Sequence, residues 1–366
     1  MQKLKEDIQK QWASNLPFVA YHSPNSGEVS CFFQKEAGLR YLQNYEESGF
    51  IFSPFEVNSR PIFFSEENSD VLKYELIDAE IDYVSKFSLK NTLSDKNKYI
   101  DLLQHTITAI KNEEYKKVVV SRVMTEDYTL ENPEELLLKL IHFYPEAFTY
   151  VWFHPEIGLW AGASPEIFAK TYRTKFETMA LAGTKRVNEN REWTQKELDE
   201  QQIVTDEIVS ALENHTQNVQ VHPRTTDQAG DLFHLRTDIS TDLDSSKLGL
   251  VLKDLHPTPA VCGLPKAKAY KFLKENEGYD RKFYTGFFGE LNVAKQTQRS
   301  KRTRNQENQA YKSIVRASNL YVNLRCMSFN YGKVHVYVGG GITKDSIAEE
   351  EWTETVNKSR TMLKVL

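Results

Sequence analysis

The short polar turns Glu156-Ile-Gly158 and Asn330-Tyr-Gly-Lys333 decide the fold class, because each separates two runs rich in β-branched and aromatic residues. A link of that length can only reverse the chain, so the strands it joins pair antiparallel; a parallel pair needs a crossover of about a dozen residues. The runs are 148 to 153 with 158 to 171, and 320 to 329 with 333 to 338; further strands are expected at 176 to 182 and 284 to 292. Helices fall between them. From Asn97 to Glu113 the apolar positions Tyr99, Leu103, Ile107 and Ile110 recur every three or four residues, which is the helical period. Helices are also predicted over Glu134 to His142, Thr194 to Glu213, Ala267 to Glu275 and Ile347 to Leu366. The helix at 97 to 113 runs into Lys117-Val-Val-Val-Ser-Arg122, whose consecutive valines mark a buried strand. Together these predict an α+β fold rather than a doubly wound parallel sheet. Before residue 95 strands are expected around Phe50-Ile-Phe52 and Pro61 to Phe64, with a turn at Ser23-Pro-Asn-Ser-Gly27.

Composition excludes several function classes. With 46 basic and 51 acidic side chains the formal charge is −5, which supplies no general field for holding nucleic acid or an anionic membrane. The basic stretch Ala294 to Gln309, with Lys295, Arg299, Lys301, Arg302 and Arg304, lacks interleaved aromatics and is read as an exposed loop. Cys31, Cys262 and Cys326 are far apart and form no CxxC pair, so neither a disulfide framework nor a zinc ribbon is expected, and a reducing cytoplasm fits. The start MQKLKEDIQKQW has no apolar signal core, and nowhere do about 18 apolar residues follow one another, which argues against export and membrane spanning. The 366 residues leave room for two or three domains or for a single large unit. Residues 1 to 95 are read as the N-terminal part of one α+β unit that continues over 96 to 366.

Four groups of residues carry candidate chemistry. Glu197 with Glu200, and Glu351 with Glu354, stand three apart on predicted helices, so each pair leaves one helical face. Converging, the four would bind a hard cation through oxygen, Mg²⁺ before zinc or iron because no histidine stands at ligand spacing. Taken separately, each pair is also what a solvated helix surface carries. Lys117 opens an apolar strand, where burial would lower its pKa and make it a general base, or where it simply snorkels to water. Gly162-Ala-Ser-Pro-Glu166 and Leu181-Ala-Gly-Thr184 let backbone approach a ligand, with Glu166 a general acid if burial keeps it protonated; tight turns account for the same residues. Val338-Gly-Gly-Gly-Ile342 offers backbone N–H groups to an anion, without Walker or dinucleotide spacing.

Taken in order, these segments resemble the chorismate-utilising enzymes, the family of isochorismate, salicylate, anthranilate and aminodeoxychorismate synthases. The match runs from Lys117-Val-Val-Val-Ser-Arg122 through Gly162-Ala-Ser-Pro-Glu166, Leu181-Ala-Gly-Thr184, Lys196-Glu-Leu-Asp-Glu200 and Phe233-His-Leu235 to His256-Pro-Thr-Pro-Ala260. It continues with Tyr284-Thr-Gly-Phe-Phe-Gly289, Leu324-Arg-Cys326, Gly339-Gly-Gly-Ile342 and Glu351-Trp-Thr-Glu-Thr355 up to Lys358, and so covers residues 97 to 366. Residues 1 to 95 are similar only in general character. Gln201 departs from the histidine that many members carry beside the metal glutamate, and the basic insertion after Asn292 is longer than the usual hairpin.

The resemblance implies two large packed antiparallel sheets with helices outside and the site between them. It implies that Glu200 and Glu354 bind Mg²⁺ directly, with Glu197 and Glu351 in support through water, and that the metal receives the ring carboxylate of chorismate. Arg325 and Tyr284 match the residues that hold the enolpyruvyl carboxylate, and Lys358 adds positive charge four residues beyond Glu354. Ala182, Gly183, His234 and Gly340 match pocket positions. Members resembling anthranilate synthase have glutamine at the Lys117 position and take ammonia from an amidotransferase partner, and aminodeoxychorismate synthases have a nucleophilic lysine at the Ala182 position. The resemblance therefore points to the isochorismate synthase branch, in which water attacks C2 of chorismate with Lys117 as base and Glu166 as acid for the departing C4 hydroxyl. A salicylate synthase, which goes on to eliminate pyruvate, and a non-catalytic chorismate-binding protein are the alternatives. No amidotransferase, nucleic-acid or membrane partner is implied. A cytoplasmic monomer or weak homodimer serving menaquinone or siderophore synthesis is expected.

Overall fold

Every strand pair among the described residues is antiparallel, and the strands form two large sheets. The computed structural model describes residues 1–76, 92–187, 189–229, 232–297 and 313–366. The first strands are β1 (Phe18–His22), β2 (Glu28–Gln34), β3 (Gly49–Ser53), β4 (Ile62–Ser65), β5 (Ser69–Glu75), β6 (Lys117–Asp127), β7 (Phe148–His154), β8 (Gly158–Ser164) and β9 (Ile167–Tyr172). Then come β10 (Lys175–Arg186), β11 (Gln220–Val221), β12 (Thr225–Ala229), β13 (Leu232–Asp242), β14 (Gly263–Leu264), β15 (Phe287–Thr297), β16 (Ser313–Val322), β17 (Cys326–Asn330) and β18 (Lys333–Ile342). The helices are α1 (Gln2–Ala13), α2 (Leu93–Lys111), α3 (Pro133–Phe143), α4 (Gln195–Glu213), α5 (Leu248–Leu255), α6 (Lys266–Asn276) and α7 (Ala348–Leu363). No helix among the described residues is long and apolar enough to cross a membrane.

One sheet has the order β14-β6-β18-β17-β8-β7-β1-β2-β5, the other β11-β13-β10-β9-β16-β15-β3-β4 with β12 beside β13. The two turns that set the fold class are hairpins: β7 pairs β8 and β17 pairs β18. In the second, Tyr331 and Gly332 both have positive φ, the twist that a tight hairpin requires. Residues before 76 contribute strands to both sheets.

Between the sheets lies an aromatic layer built from Phe50, Phe52, Phe148, Tyr150, Trp152, Trp160 and Phe288, all with almost no exposure. Trp152 stacks on Phe52 at 4.4 Å between ring centroids. Rings fill the roughly 10 Å gap between facing sheets with few side chains. Tyr21 crosses the layer and donates to Glu290 Oε1 at 2.7 Å. The outer face of the first sheet is covered by α1, α3 and the end of α7, that of the second by α4 and α5. With both faces covered, β7 is buried at every position, so its sequence shows no alternation.

Two expected strands are each broken in two. The run 158 to 171 is β8 and β9, and the run 320 to 329 spans the end of β16 and most of β17. In both cases the chain leaves one sheet for the other at the break. The N-terminal helix α1 was not expected, because only Leu4 and Ile8 of its residues are buried. In the basic stretch, Ala294 to Thr297 extend β15, and Lys295 pairs with Glu290 at 3.1 Å; residues 298 to 309 lie outside the described residues.

Candidate active site

The two breaks between sheets place two of the expected site residues. Glu166 follows β8 at the first crossover and Arg325 precedes β17 at the second. The crossovers are bonded to one another: Ser164 Oγ donates to Val322 O at 2.5 Å and Val322 N to Glu166 O at 3.0 Å. Asn323 N donates to Gly286 O at 2.7 Å, which draws in the turn carrying Tyr284. Arg325 has φ 47, a left-handed conformation that is uncommon outside glycine and asparagine.

Glu166 is 5% exposed, and burial pushes its carboxyl up to about 7 even though Lys117 and Arg325 pull it down. Lys117 is equally buried at the mouth of β6 and donates to Glu200 Oε1 of α4 at 2.7 Å. His234 of β13 stands 3.2 Å from Gly183 O through Nδ1. Burial, with the charges of Arg325 and Lys358, lowers its pKa to about 4, so the imidazole is neutral at physiological pH. Tyr284 is buried and its phenol is held protonated by that burial, its pKa raised well beyond the ordinary value. Arg325 has its pKa lowered by burial.

Glycines open the floor of this space. On β18, a Cβ added to Gly339 would stand 3.0 Å from the Tyr284 hydroxyl, and one on Gly340 3.2 Å from Glu351 Oε2. One on Gly341 would stand 2.8 Å from Lys117 Cε and 3.5 Å from Glu200 Oε1. Gly183 lies at an irregularity in the β10 and β13 pairing, has φ +72, and stands with Ala182 against Leu235 and Glu197. Lys358 Nζ, on α7, pairs with Glu354 at 2.6 Å and donates to Gly339 O at 3.0 Å. Contacts and charges thus link the residues singled out from the sequence, which come from four strands (β6, β10, β13 and β18), three connections and the two helices α4 and α7.

The donor chemistry of Glu200, Glu351 and Glu354 is carboxylate oxygen, which suits a hard divalent cation, and the side-chain-free positions Gly340 and Gly341 keep the space beside two of them open. Among the described residues no three acidic, histidine or cysteine side chains stand close enough to form a metal cage. Glu200 and Glu354 are balanced by Lys117 and Lys358. Glu197 stands beside Gly183 and is already engaged: it caps α4 through Thr194 and takes a bidentate contact from Arg191 at 2.6 and 3.0 Å.

Sequence reasoning missed Arg191, for which a polar loop carries no signal, and Arg122. Arg122 closes the β6 motif, lies over the Trp352 ring at 4.0 Å and donates to Thr355 Oγ1 at 2.9 Å, which seats α7 with its two glutamates. A cation inside an otherwise apolar strand was the available hint.

A buried acid and a buried lysine thus stand close to an arginine, a phenol and several carboxylates, a grouping of polar chemistry that marks a candidate active site. A family model for chorismate binding enzymes matches residues 64–299, and a second matches 312–364. The chain belongs to the chorismate-binding enzyme family. It is 27% identical over 292 residues to the isochorismate synthase MenF of Escherichia coli (strain K12), covering 74% of this chain and 61% of that protein. To MenF of Haemophilus influenzae it is 25% identical over 279 residues, covering 73% and 60%. The matches thus span about three fifths of the length of these relatives. The solved structure of the menaquinone-specific E. coli MenF has a TM-score of 0.75 at 20% identity, over 95% of this chain and 88% of that one, which shows a shared fold.

Proposed function

We propose that the protein is an isochorismate synthase, converting chorismate to isochorismate with Mg²⁺ bound. One observation carries the reading: Lys117 and Glu166, a base and an acid by chemistry, share a buried space in which the carboxyl is raised to about 7. An acid whose pKa lies near the working pH can both give and regain a proton in each cycle. Both sequence relatives carry the name isochorismate synthase, which supports the same reading.

In the proposed reaction a water loses a proton to neutral Lys117 Nζ as its oxygen bonds to C2 of chorismate. The ring double bonds shift, the C4–O bond breaks, and Glu166 protonates the departing hydroxyl, so one water enters, one leaves and the mass is unchanged. Arg325 offers its planar fork to the enolpyruvyl carboxylate and Tyr284 a phenolic donor. Neutral His234 lines the pocket without adding charge, Ala182, Gly183 and Gly340 leave it open, and Lys358 adds positive charge. Glu200 and Glu354, with Glu197 and Glu351 behind them, would hold Mg²⁺, whose charge would offset the ring carboxylate and that of Glu200, which pairs with Lys117 in this structure. An ammonium cannot accept a proton, so the base role requires Lys117 to be relieved of that pairing.

The test is to incubate the purified protein with chorismate and Mg²⁺ and to separate the products by chromatography and mass. An isomer of unchanged mass, in equilibrium with chorismate, is expected. Salicylate with pyruvate would assign the neighbouring activity, and no turnover would refute the enzyme reading in favour of a binding protein.

A further inference from the structure

Strand β6 is paired along one edge by β18, but on its other edge β14 covers only Lys117 and Val118. Val119 N still reaches Cys262 O at 2.8 Å, and there the neighbouring chain turns away. The next groups on that edge, Val119 O and Ser121 N–H, belong to buried residues and would be left without partners. Two side chains take the place of the missing strand. Arg281 Nη2 donates to Val119 O at 2.6 Å, and Glu277 Oε1 accepts from Ser121 N at 2.7 Å and from Ser121 Oγ at 2.8 Å.

Arg281 and Glu277 are paired with each other through Nη2 and Nε, at 2.5 and 2.7 Å, and their side chains are 2% and 3% exposed. Arg281 has further holds. Its Nη1 donates to Val261 O at 2.9 Å and to Thr285 Oγ1 at 3.0 Å, and its carbonyl accepts from Tyr284 N at 2.9 Å. Thr285 sits at φ 61, a conformation a β-branched residue adopts only when its surroundings hold it there. A buried ion pair is a poor source of net stability, since apolar side chains of the same volume often serve as well. This pair instead ties the strand of Lys117 to the turn of Tyr284.

We infer that Glu277 and Arg281 are positioning residues that set Lys117 and Tyr284 at their working separation; the inference rests on the roles proposed above for those two groups. The pair acts through backbone atoms on each side of the site. A reacting group misplaced by about 1 Å can lose about a hundredfold in rate, so a clamp of this kind is read in turnover before it is read in folding.

Arg281→Lys keeps the charge beside Glu277, but one ammonium cannot reach Val119 O, Val261 O and Thr285 Oγ1 together. Ser121→Ala removes only the hydroxyl that bridges Glu277 and Tyr279, and is expected to fold. Melting by circular dichroism, hydrogen exchange over 117–122 and 284–286, and steady-state kinetics with chorismate and Mg²⁺ are measured on both variants and the wild type. For Arg281→Lys both segments should exchange at least about tenfold faster, with kcat lower by about a hundredfold and KM for chorismate raised. Ser121→Ala should lower kcat by about five- to tenfold with KM within about twofold. A purely structural pair would lower the melting temperature and leave kcat and KM of the folded enzyme unchanged, which overturns the inference. Unaltered exchange in Arg281→Lys also overturns it. If Arg281→Lys does not fold, Ser121→Ala decides by the same kcat criterion. If the wild type leaves chorismate untouched, the functional reading fails, and the exchange measurements still decide whether the clamp exists.

Discussion

Replacing Glu166 by glutamine should move stability and activity in opposite directions above neutral pH. Burial raises this carboxyl from its ordinary 4.5 to about 7 against the pull of Lys117 and Arg325. A group raised in the folded state holds its proton more tightly there than in the unfolded chain. Its contribution to stability is therefore fully present below pH 4.5 and is lost as the pH climbs through about 7. At 1.36 kcal/mol for each tenfold in proton affinity, the loss between those limits is about 3 kcal/mol. Glutamine has the same shape and no proton to lose, so it escapes that penalty. Urea unfolding of both proteins at pH 5 and pH 8.5, followed by tryptophan fluorescence in chelator without chorismate, measures the difference directly. The balance should shift toward the variant by roughly 2 to 3 kcal/mol between the two pH values, while turnover falls by about two to four orders of magnitude. A stability difference that does not change with pH would refute the buried, raised carboxyl, and retained turnover would refute its role as the acid. In the wild type, kcat should decline above pH about 7, a limb absent from whatever activity the variant retains.

Lys117→Ala should still bind chorismate but lose about two to four orders of magnitude in kcat; near-normal turnover would leave the lysine with a packing role only. A chelator should abolish activity and Mg²⁺ restore it, while Glu200→Gln or Glu354→Gln should raise the Mg²⁺ concentration needed for half-maximal rate; full rates in metal-free buffer would contradict this use of the glutamates. Gly341→Ala places a methyl 2.8 Å from Lys117 Cε, the far part of a flexible side chain. The melting temperature should therefore change little while kcat falls by about ten- to a hundredfold, and an unchanged kcat would mean that the position of Lys117 is not critical.

Local physics made much of the fold readable. The stripe Tyr99, Leu103, Ile107, Ile110 is the buried face of α2, and the turns at 156 and 330 are hairpins, because periodicity and turn chemistry are properties of neighbouring residues. The residue types of the site and their order were readable for the same reason. Helix α1 was not, since charged and polar residues dominate it and it docks through a short stripe, Leu4 and Ile8 with Trp12 edge-on to Phe153. Nor were the changes of sheet at Pro165-Glu166 and Asn323-Leu-Arg325: the polar residues there can mark a break, but which sheet a strand joins depends on partners far away in sequence. Glu166 and Arg325 owe their positions to those two breaks. The bond from Lys117 to Glu200 spans 83 residues, and that from Arg281 to Val119 spans 162. The sequence thus determined which groups the protein has and the local elements that carry them. Whether a carboxyl is raised to about 7, or a lysine faces an acid, was decided by the tertiary structure, since charge states depend on distance and on exclusion of water, and neither exists until the two sheets close on each other.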